Sequence, residues 1–367
     1  MPFNEFDRRC MAHALQIAER GMNTTDPNPR VGCLITRGSK AVGEGWHERA
    51  GQAHAEVIAL VMAGDGARGA TVYVTLEPCS HAGRTPPCVD ALLKAGVSRV
   101  VCAMVDPNPH VRGAGIERLR SAGITVESGL MEAEARALNP GHISRMERGM
   151  PWVRVKIGAS LDGRTALANG TSQWITSEEA RADVHSWRAR SSVILTGSGT
   201  VLRDDPRLDV RTSNEPKEDR QPLRVILDTE LRTPPKARIL DAPGRALILT
   251  SPSSGQRGVG FESRGVSIET MPRGTSGLDL RAVLNRLTEM ESNEVWVEAG
   301  PRLTGALLAE GLVDEVIVYL APSALGSAAQ GMFELPVFTA LEQRIKLEYR
   351  DVRRIGPDLR VIAACVS

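Results

Sequence analysis

The chain has 367 residues, enough for two domains with separate cores. Lys plus Arg number 45 and Asp plus Glu 44, so no basic field draws in a nucleic acid. No run approaches the ~18 apolar residues of a membrane span, and the N-terminus, Met1-Pro2-Phe3-Asn4-Glu5-Phe6-Asp7, lacks a signal-peptide pattern. The expectation is a cytoplasmic protein with neither a membrane nor a nucleic-acid partner.

Phe6, Met11, Ala14, Ile17 and Ala18 share one face of an amphipathic helix that starts near Asn4 and ends at Gly21. Cys10 reads as a core thiol in it and His13 as a structural or surface residue. Thr25-Asp26-Pro27-Asn28-Pro29-Arg30 is a turn held open by prolines. Residues 31–37 and 40–45 read as two strands around Gly38-Ser39. His47, in the loop after them, reads equally well as a pocket residue and as a plain loop histidine.

The next stretch carries chemistry. His54-Ala55-Glu56 opens a helix-like run, and Thr75-Leu76-Glu77-Pro78-Cys79 and Pro87-Cys88 place two cysteines after prolines. A second helix-like run follows Cys88 and ends at Gly96. His54, Cys79 and Cys88 supply three ligands, a count that suits a catalytic zinc with one open position. Helix N-termini near the cysteines would favour their thiolates. Glu56, two residues from His54, is the candidate proton carrier. The competing readings are a structural zinc with His81 as fourth ligand, or buried thiols acting as small hydrophobes. Cys33, Cys102 and Cys365 lack motif context, and no disulfide framework is evident.

His-x-Glu followed by Pro-Cys is the signature of zinc nucleobase deaminases, whose usual ending is Cys-x-x-Cys. Here the second cysteine comes late, after Gly83-Arg84-Thr85-Pro86-Pro87. With Pro27-Asn28-Pro29-Arg30-Val31-Gly32 and Asp106-Pro107-Asn108-Pro109, this resembles the bifunctional deaminase–reductase of riboflavin biosynthesis, where the long spacing is normal. The resemblance implies an α/β protein: a cytidine-deaminase-like three-layer α/β/α domain at 1–148 and a dihydrofolate-reductase-like α/β domain at 149–367. It makes Asn28 a substrate-side residue of the deaminase.

Beyond residue 96, strands near 97–105 and 124–127 alternate with a helix near 115–122, and a helical stretch at 131–146 breaks at Asn139-Pro140-Gly141. The second half opens with a strand from Trp152. Thr176-Ser177-Glu178-Glu179 reads as a capping box starting a helix to about Arg190. Gly197-Ser198-Gly199-Thr200 is a small-residue turn into a helix, and 213–221 is a polar, mobile excursion. Strands are expected at 223–228, 245–250, 266–271 and 294–298, with a helix at 279–290. Gly300-Pro301 opens a further helix, and strands at 315–320, 345–350 and 359–365 close the chain.

The same resemblance covers this half in motif order and spacing. It implies an NADPH site at Gly158, Trp174, Thr200, Asp204, Thr229 and the turn Gly300-Pro301-Arg302-Leu303-Thr304-Gly305-Ala306. It implies a substrate site at Ser172, Arg188, Leu208, Arg211 and Glu298, where guanidinium forks suit a ribose phosphate. Lys156 and Asp204 are candidates for proton handling. One zinc per chain and a homo-oligomer, dimer or tetramer, are expected. The rivals are another nucleobase deaminase fused to a nucleotide-sensing domain, and a structural zinc protein that only binds a nucleotide. Glu56 argues against the latter, because a structural site has no use for it.

Overall fold

The computed structural model describes residues 3–81, 86–109, 111–211, 220–252, 261, 266–275 and 277–366. Gly83-Arg84-Thr85 of the inter-cysteine loop and 213–219 of the polar excursion lie outside the described residues. Two compact units divide the chain, Met1–Met150 and Pro151–Ser367.

The first unit begins with α1 (Glu5–Glu19), capped reciprocally: Asn4 accepts from the Asp7 N–H and Asp7 from the Asn4 N–H. Strands β1 (Gly32–Arg37) and β2 (Lys40–Trp46) form a hairpin, followed by α2 (Ala55–Ala63) and β3 (Thr71–Val74). Then come α3 (Cys88–Ala95), β4 (Arg99–Cys102), α4 (Ala114–Ser121) and β5 (Thr125–Ser128). The unit closes with α5 (Glu132–Leu138) and α6 (Pro140–Arg148). The sheet order is β2-β1-β3-β4-β5, with β3, β4 and β5 parallel.

Side-chain alternation makes this sheet the middle of three layers. Cys33, Ile35, Val72, Val74, Val100 and Cys102 pack with Ala55, Ala59, Val89, Leu92, Ile116 and Leu119 of α2, α3 and α4. Leu34, Tyr73 and Val101 point the other way, against Met11, Ala14, Ala135 and Ile143 of α1, α5 and α6. Cys10, Cys33 and Cys102 are core thiols, and His13 sits on the surface against Glu44. Two glycines set the seat of α2. A Cβ at Gly43 would lie 2.2 Å from the Ala59 carbonyl, and one at Gly45 2.6 Å from that of Ala55. Only glycine lets β2 come that near, and this closeness fixes where α2 presents Glu56.

The second unit contains β6 (Trp152–Ser160), β7 (Arg164–Ala166), α7 (Glu178–Arg190), β8 (Val193–Gly197), α8 (Ser198–Asp204) and β9 (Leu223–Leu227). It continues with α9 (Arg238–Asp241), β10 (Ala246–Thr250), β11 (Ser267–Thr270), α10 (Leu280–Glu289), β12 (Glu294–Val297) and α11 (Pro301–Ala309). β13 (Glu315–Ala321), β14 (Gln330–Gly331), β15 (Leu347–Ile355) and β16 (Asp358–Cys365) complete it. Nine strands order as β11-β10-β9-β8-β12-β6-β13-β16-β15. All neighbours through β13 are parallel, and the β15–β16 hairpin adds an antiparallel edge.

Three features differ from the sequence reading. Ser177 caps α7 by accepting the Ala180 N–H, so the helix starts too late for the Thr176–Glu179 capping box, and Ala180 has no side-chain acceptor to complete one. β15 runs to Ile355, mostly exposed, so burial writes no alternating pattern into it. The β7–β14 ribbon and the single turn α9 carry too few residues for a periodic signal. Among the described residues, no helix is long and apolar enough to cross a membrane.

Candidate active sites

In the first unit the sheet brings together residues far apart in sequence. His54 is the N-cap residue of α2, and Cys88 is the first residue of α3. Cys79 follows β3 at the carboxyl edge of the sheet. Among the described residues, His54, Cys79 and Cys88 form a cluster whose ligand atoms all lie within 4.8 Å of one another. His54 Nδ1 is 3.2 Å from Cys88 Sγ and 3.5 Å from Cys79 Sγ. The Cys88 N–H donates to Cys79 Sγ at 3.3 Å, so the start of α3 favours a thiolate there.

The donor chemistry of this cluster suits a cation. The hydrogen bond from Cys88 lowers the Cys79 thiol to about 4, and the same contact drives the Cys88 thiol up. Two adjacent sulfurs that cannot both ionise, facing an imidazole nitrogen, form a donor set that a zinc ion satisfies. Glu56 is 3% exposed in the first turn of α2, and burial pushes its carboxyl up to about 7 although His54 opposes this. A carboxyl poised there can both take and give a proton near neutral pH. His81 is exposed and outside the cluster.

Asn28 meets His47 beside this cluster. The Asn28 amide lies 3.0 Å from His47 Nε2, and His47 Nδ1 is 3.1 Å from the Ala53 carbonyl oxygen. The Nδ1–H therefore donates to Ala53, and Nε2 accepts from Asn28. The His47 ring stands edge-on to His54, centroids 5.3 Å apart, and burial lowers its pKa. A neutral His47 fits that bonding pattern.

The second unit holds a cavity of about 1010 Å³ at the carboxyl ends of β6, β8, β9 and β12, where open α/β sheets place ligands. Gly158 of β6, Thr200 and Asp204 of α8, and Thr229 after β9 line it. So do Gly300-Pro301-Arg302-Leu303 and Ala306 at the start of α11. Ser172, Trp174, Arg188, Leu208, Arg211 and Glu298 line it as well. Ser172 donates to Asp204 at 3.4 Å, and the Arg181 guanidinium covers the exposed Trp174 ring at 4.5 Å.

The electrostatics centre on Glu298. Its carboxylate takes both arms of the Arg188 fork, one at 3.0 Å, and accepts the Trp296 indole N–H at 2.9 Å. Lys156 Nζ stands 3.9 Å away. Burial alone would raise the Glu298 carboxyl, but Arg188 and Lys156 hold it at about 2. Burial also lowers the Lys156 ammonium pKa. The Arg211 side chain is 61% exposed with one ion-pair contact at 3.3 Å to Asp209, and so remains able to reach a ligand.

Known families and structures match both halves. The cytidine and deoxycytidylate deaminase zinc-binding region matches residues 4–104, and the RibD C-terminal domain matches 151–361. The riboflavin biosynthesis protein RibD of Escherichia coli (strain K12) is 49% identical over 362 residues, which are 96% of this chain and 98% of that one. The chain belongs to the RibD family. RibD of Aquifex aeolicus is 40% identical across 97% of each chain. An Acinetobacter baumannii RibD structure superposes with a TM-score of 0.92 at 43% identity over 99% of both chains. A Thermotoga maritima structure described as diaminohydroxyphosphoribosylaminopyrimidine deaminase/5-amino-6-(5-phosphoribosylamino)uracil reductase gives 0.87 at 30% identity, covering 98% of this chain. As a RibD this is a bifunctional riboflavin-biosynthesis enzyme, a deaminase joined to a reductase.

The RibD fold gathers most of the residues singled out from sequence around the two sites, and two of them stand apart from the cavity lining. Thr304 is fully buried, with its hydroxyl on the Gly300 carbonyl at 3.2 Å. Gly305 packs so closely that a Cβ would meet the Glu334 carbonyl at 2.1 Å. Both lie on the inner face of α11, away from the cavity wall, because a helix cannot turn seven successive residues to one side. Sequence reading left His47 undecided and missed His185, a cavity residue three positions before Arg188 on α7. That spacing puts two side chains on one helical face and is the signal that would have found it.

Proposed function

We propose that residues 1–148 hydrolyse the 2-amino group of 2,5-diamino-6-(5-phosphoribosylamino)pyrimidin-4(3H)-one. Residues 149–367 then reduce the ribosyl chain of the product, 5-amino-6-(5-phosphoribosylamino)uracil, to a ribityl chain with NADPH. The observation that carries this reading is the convergence of His54, Cys79 and Cys88 beside a buried Glu56. A structural zinc site would leave Glu56 without work.

His54, Cys79 and Cys88 would hold one zinc ion per chain. When bound, zinc supplies Lewis-acid activation of water for attack on the ring carbon. Glu56 accepts the proton from the attacking water and delivers it to the departing ammonia. Asn28, held by His47, orients the pyrimidine. In the second unit Gly158, Trp174, Thr200, Asp204, Thr229 and the start of α11 bind the cofactor. NADPH supplies hydride to ribosyl C1′ of the opened imine form. Arg188 and Glu298 fix the sugar side of the site as a pair, and Arg211 takes the 5′-phosphate. The six free cysteines support a reducing, cytoplasmic compartment.

The test is incubation of purified protein with the phosphorylated pyrimidine, with and without NADPH. Ammonia should appear in both, and NADPH oxidation only after deamination. Ammonia release with no NADPH oxidation would favour a deaminase fused to a nucleotide-sensing domain.

A further inference from the structure

Arg211 is not the only polar group at its end of the cavity. His185 lines the same wall from α7, one turn before Arg188. Its Nδ1 accepts the Arg211 backbone N–H at 3.2 Å. A ring nitrogen that accepts carries no proton, so the proton of the neutral imidazole sits on Nε2. Burial, with Arg188 and Arg211 close by, lowers the His185 pKa to about 4, so the ring is neutral at physiological pH. Among the described residues Nε2 makes no hydrogen bond, which leaves its N–H available to a ligand in the cavity.

The surrounding charge indicates which ligand. Lys156, Arg188, Arg207 and Arg211 are set against Glu298 and Asp209, an excess of two positive charges. A phosphate monoester carries about −1.5 to −2 at neutral pH and presents acceptor oxygens only. Arg188 is committed to Glu298 and Arg207 to Asp209, whereas the Arg211 side chain is largely exposed. Arg211 and His185 therefore both have donors to spare.

We propose that His185 is a further substrate-binding residue of the reductase site, its Nε2 N–H donating to the 5′-phosphate that Arg211 also grips, while its Nδ1 holds the Arg211 backbone in place. The inference rests on the reading of Arg211 as a phosphate ligand. It adds a directional element: the ring donates to phosphate without adding a further charge to the site.

The experiment uses the full chain and NADPH oxidation, with the deaminated substrate supplied with and without its 5′-phosphate. In His185→Asn the amide oxygen stands near the place of Nδ1, which keeps the Arg211 contact and removes the Nε2 donor. The KM for the phosphorylated substrate should rise about ten- to a hundredfold with kcat little changed. The dephosphorylated substrate should be unaffected, as should NADPH binding read by nicotinamide fluorescence. His185→Gln, whose amide N–H reaches about as far as Nε2, should restore part of the loss. Equal KM changes for the two substrates, or none, would overturn the proposal. Arg211→Ala separates the two levels: if it alone loses phosphate discrimination, His185 has no part and the Arg211 reading survives. If neither variant loses discrimination, both fall. Ring-¹⁵N NMR of the unmodified protein covers the case of a variant that fails to fold. The His185 Nε2 resonance should move with the phosphorylated compound and not with the dephosphorylated one, and the reverse would contradict the assignment.

Discussion

Arg188 on α7 and Glu298 at the end of β12 are 110 residues apart in the chain, yet they meet in a two-point ion pair. Both side chains are 11% exposed, so the pair is largely withdrawn from water. Removing one partner should leave a buried charge, at a typical cost of about 3–5 kcal/mol. Glu298→Ala should therefore lower the urea midpoint markedly, because Arg188 and Lys156 both lose their counter-ion. Arg188→Met combined with Glu298→Leu should recover much of the loss. A single variant as stable as the parent would show that water reaches the pair freely.

Glu56→Gln leaves His54, Cys79 and Cys88 intact and should retain zinc. Deamination should fall at least ~10²-fold, the usual scale for a positioned acid–base group. Reduction of substrate that is already deaminated should persist. Metal analysis and the two half-reactions check this together, and near-normal deamination would remove Glu56 from the mechanism.

Arg211→Ala should weaken productive binding of the phosphorylated reductase substrate by roughly ten- to a hundredfold, from the loss of a charge-assisted contact. Arg211→Lys should recover only part, since a point charge cannot reproduce the guanidinium fork. Steady-state kinetics with and without the 5′-phosphate measures it. An equal loss for both substrates would assign Arg211 to the fold or the cofactor.

Two groups of the second unit make its stability fall in acid. The His185 pKa is about 4 in the fold against an ordinary 6.5, so the unfolded chain binds its proton first as pH drops. Stability is lost between those two values. The Glu298 carboxyl lies at about 2 against 4.5, so its contribution is whole above 4.5 and is lost as pH falls towards 2. Urea unfolding followed by tryptophan fluorescence reports mainly on this unit, which holds four of the five tryptophans. The first loss should be absent in His185→Asn, and an unchanged pH profile in that variant would contradict the assignment.

A fragment from Pro151 to the C-terminus should fold and bind NADPH without zinc, because its sheet and cavity are built from its own strands. Calorimetric titration checks this. A soluble fragment with no NADPH affinity would contradict the division of labour proposed for the two units.

The zinc cluster was legible in the sequence because its chemistry is local. His54 and Glu56 sit at the start of one helix, Cys88 at the start of another, and prolines mark both cysteines. The alternation of strands and helices was equally legible, since burial on both faces of a sheet writes itself into apolar runs. Pairing was not. No local signal says that Arg188 would spend its fork on Glu298, that Asn28 would meet His47, or that Thr304 would turn inward while Leu303 stays on the cavity wall. Nor does one say that the Arg211 backbone would fix the His185 tautomer. Sequence determined which chemical groups the chain carries and which elements bear them. Only the tertiary structure decided which charges neutralise one another and which remain free for a ligand, because Coulomb energies and hydrogen bonds depend on distances that sheet order and helix packing set.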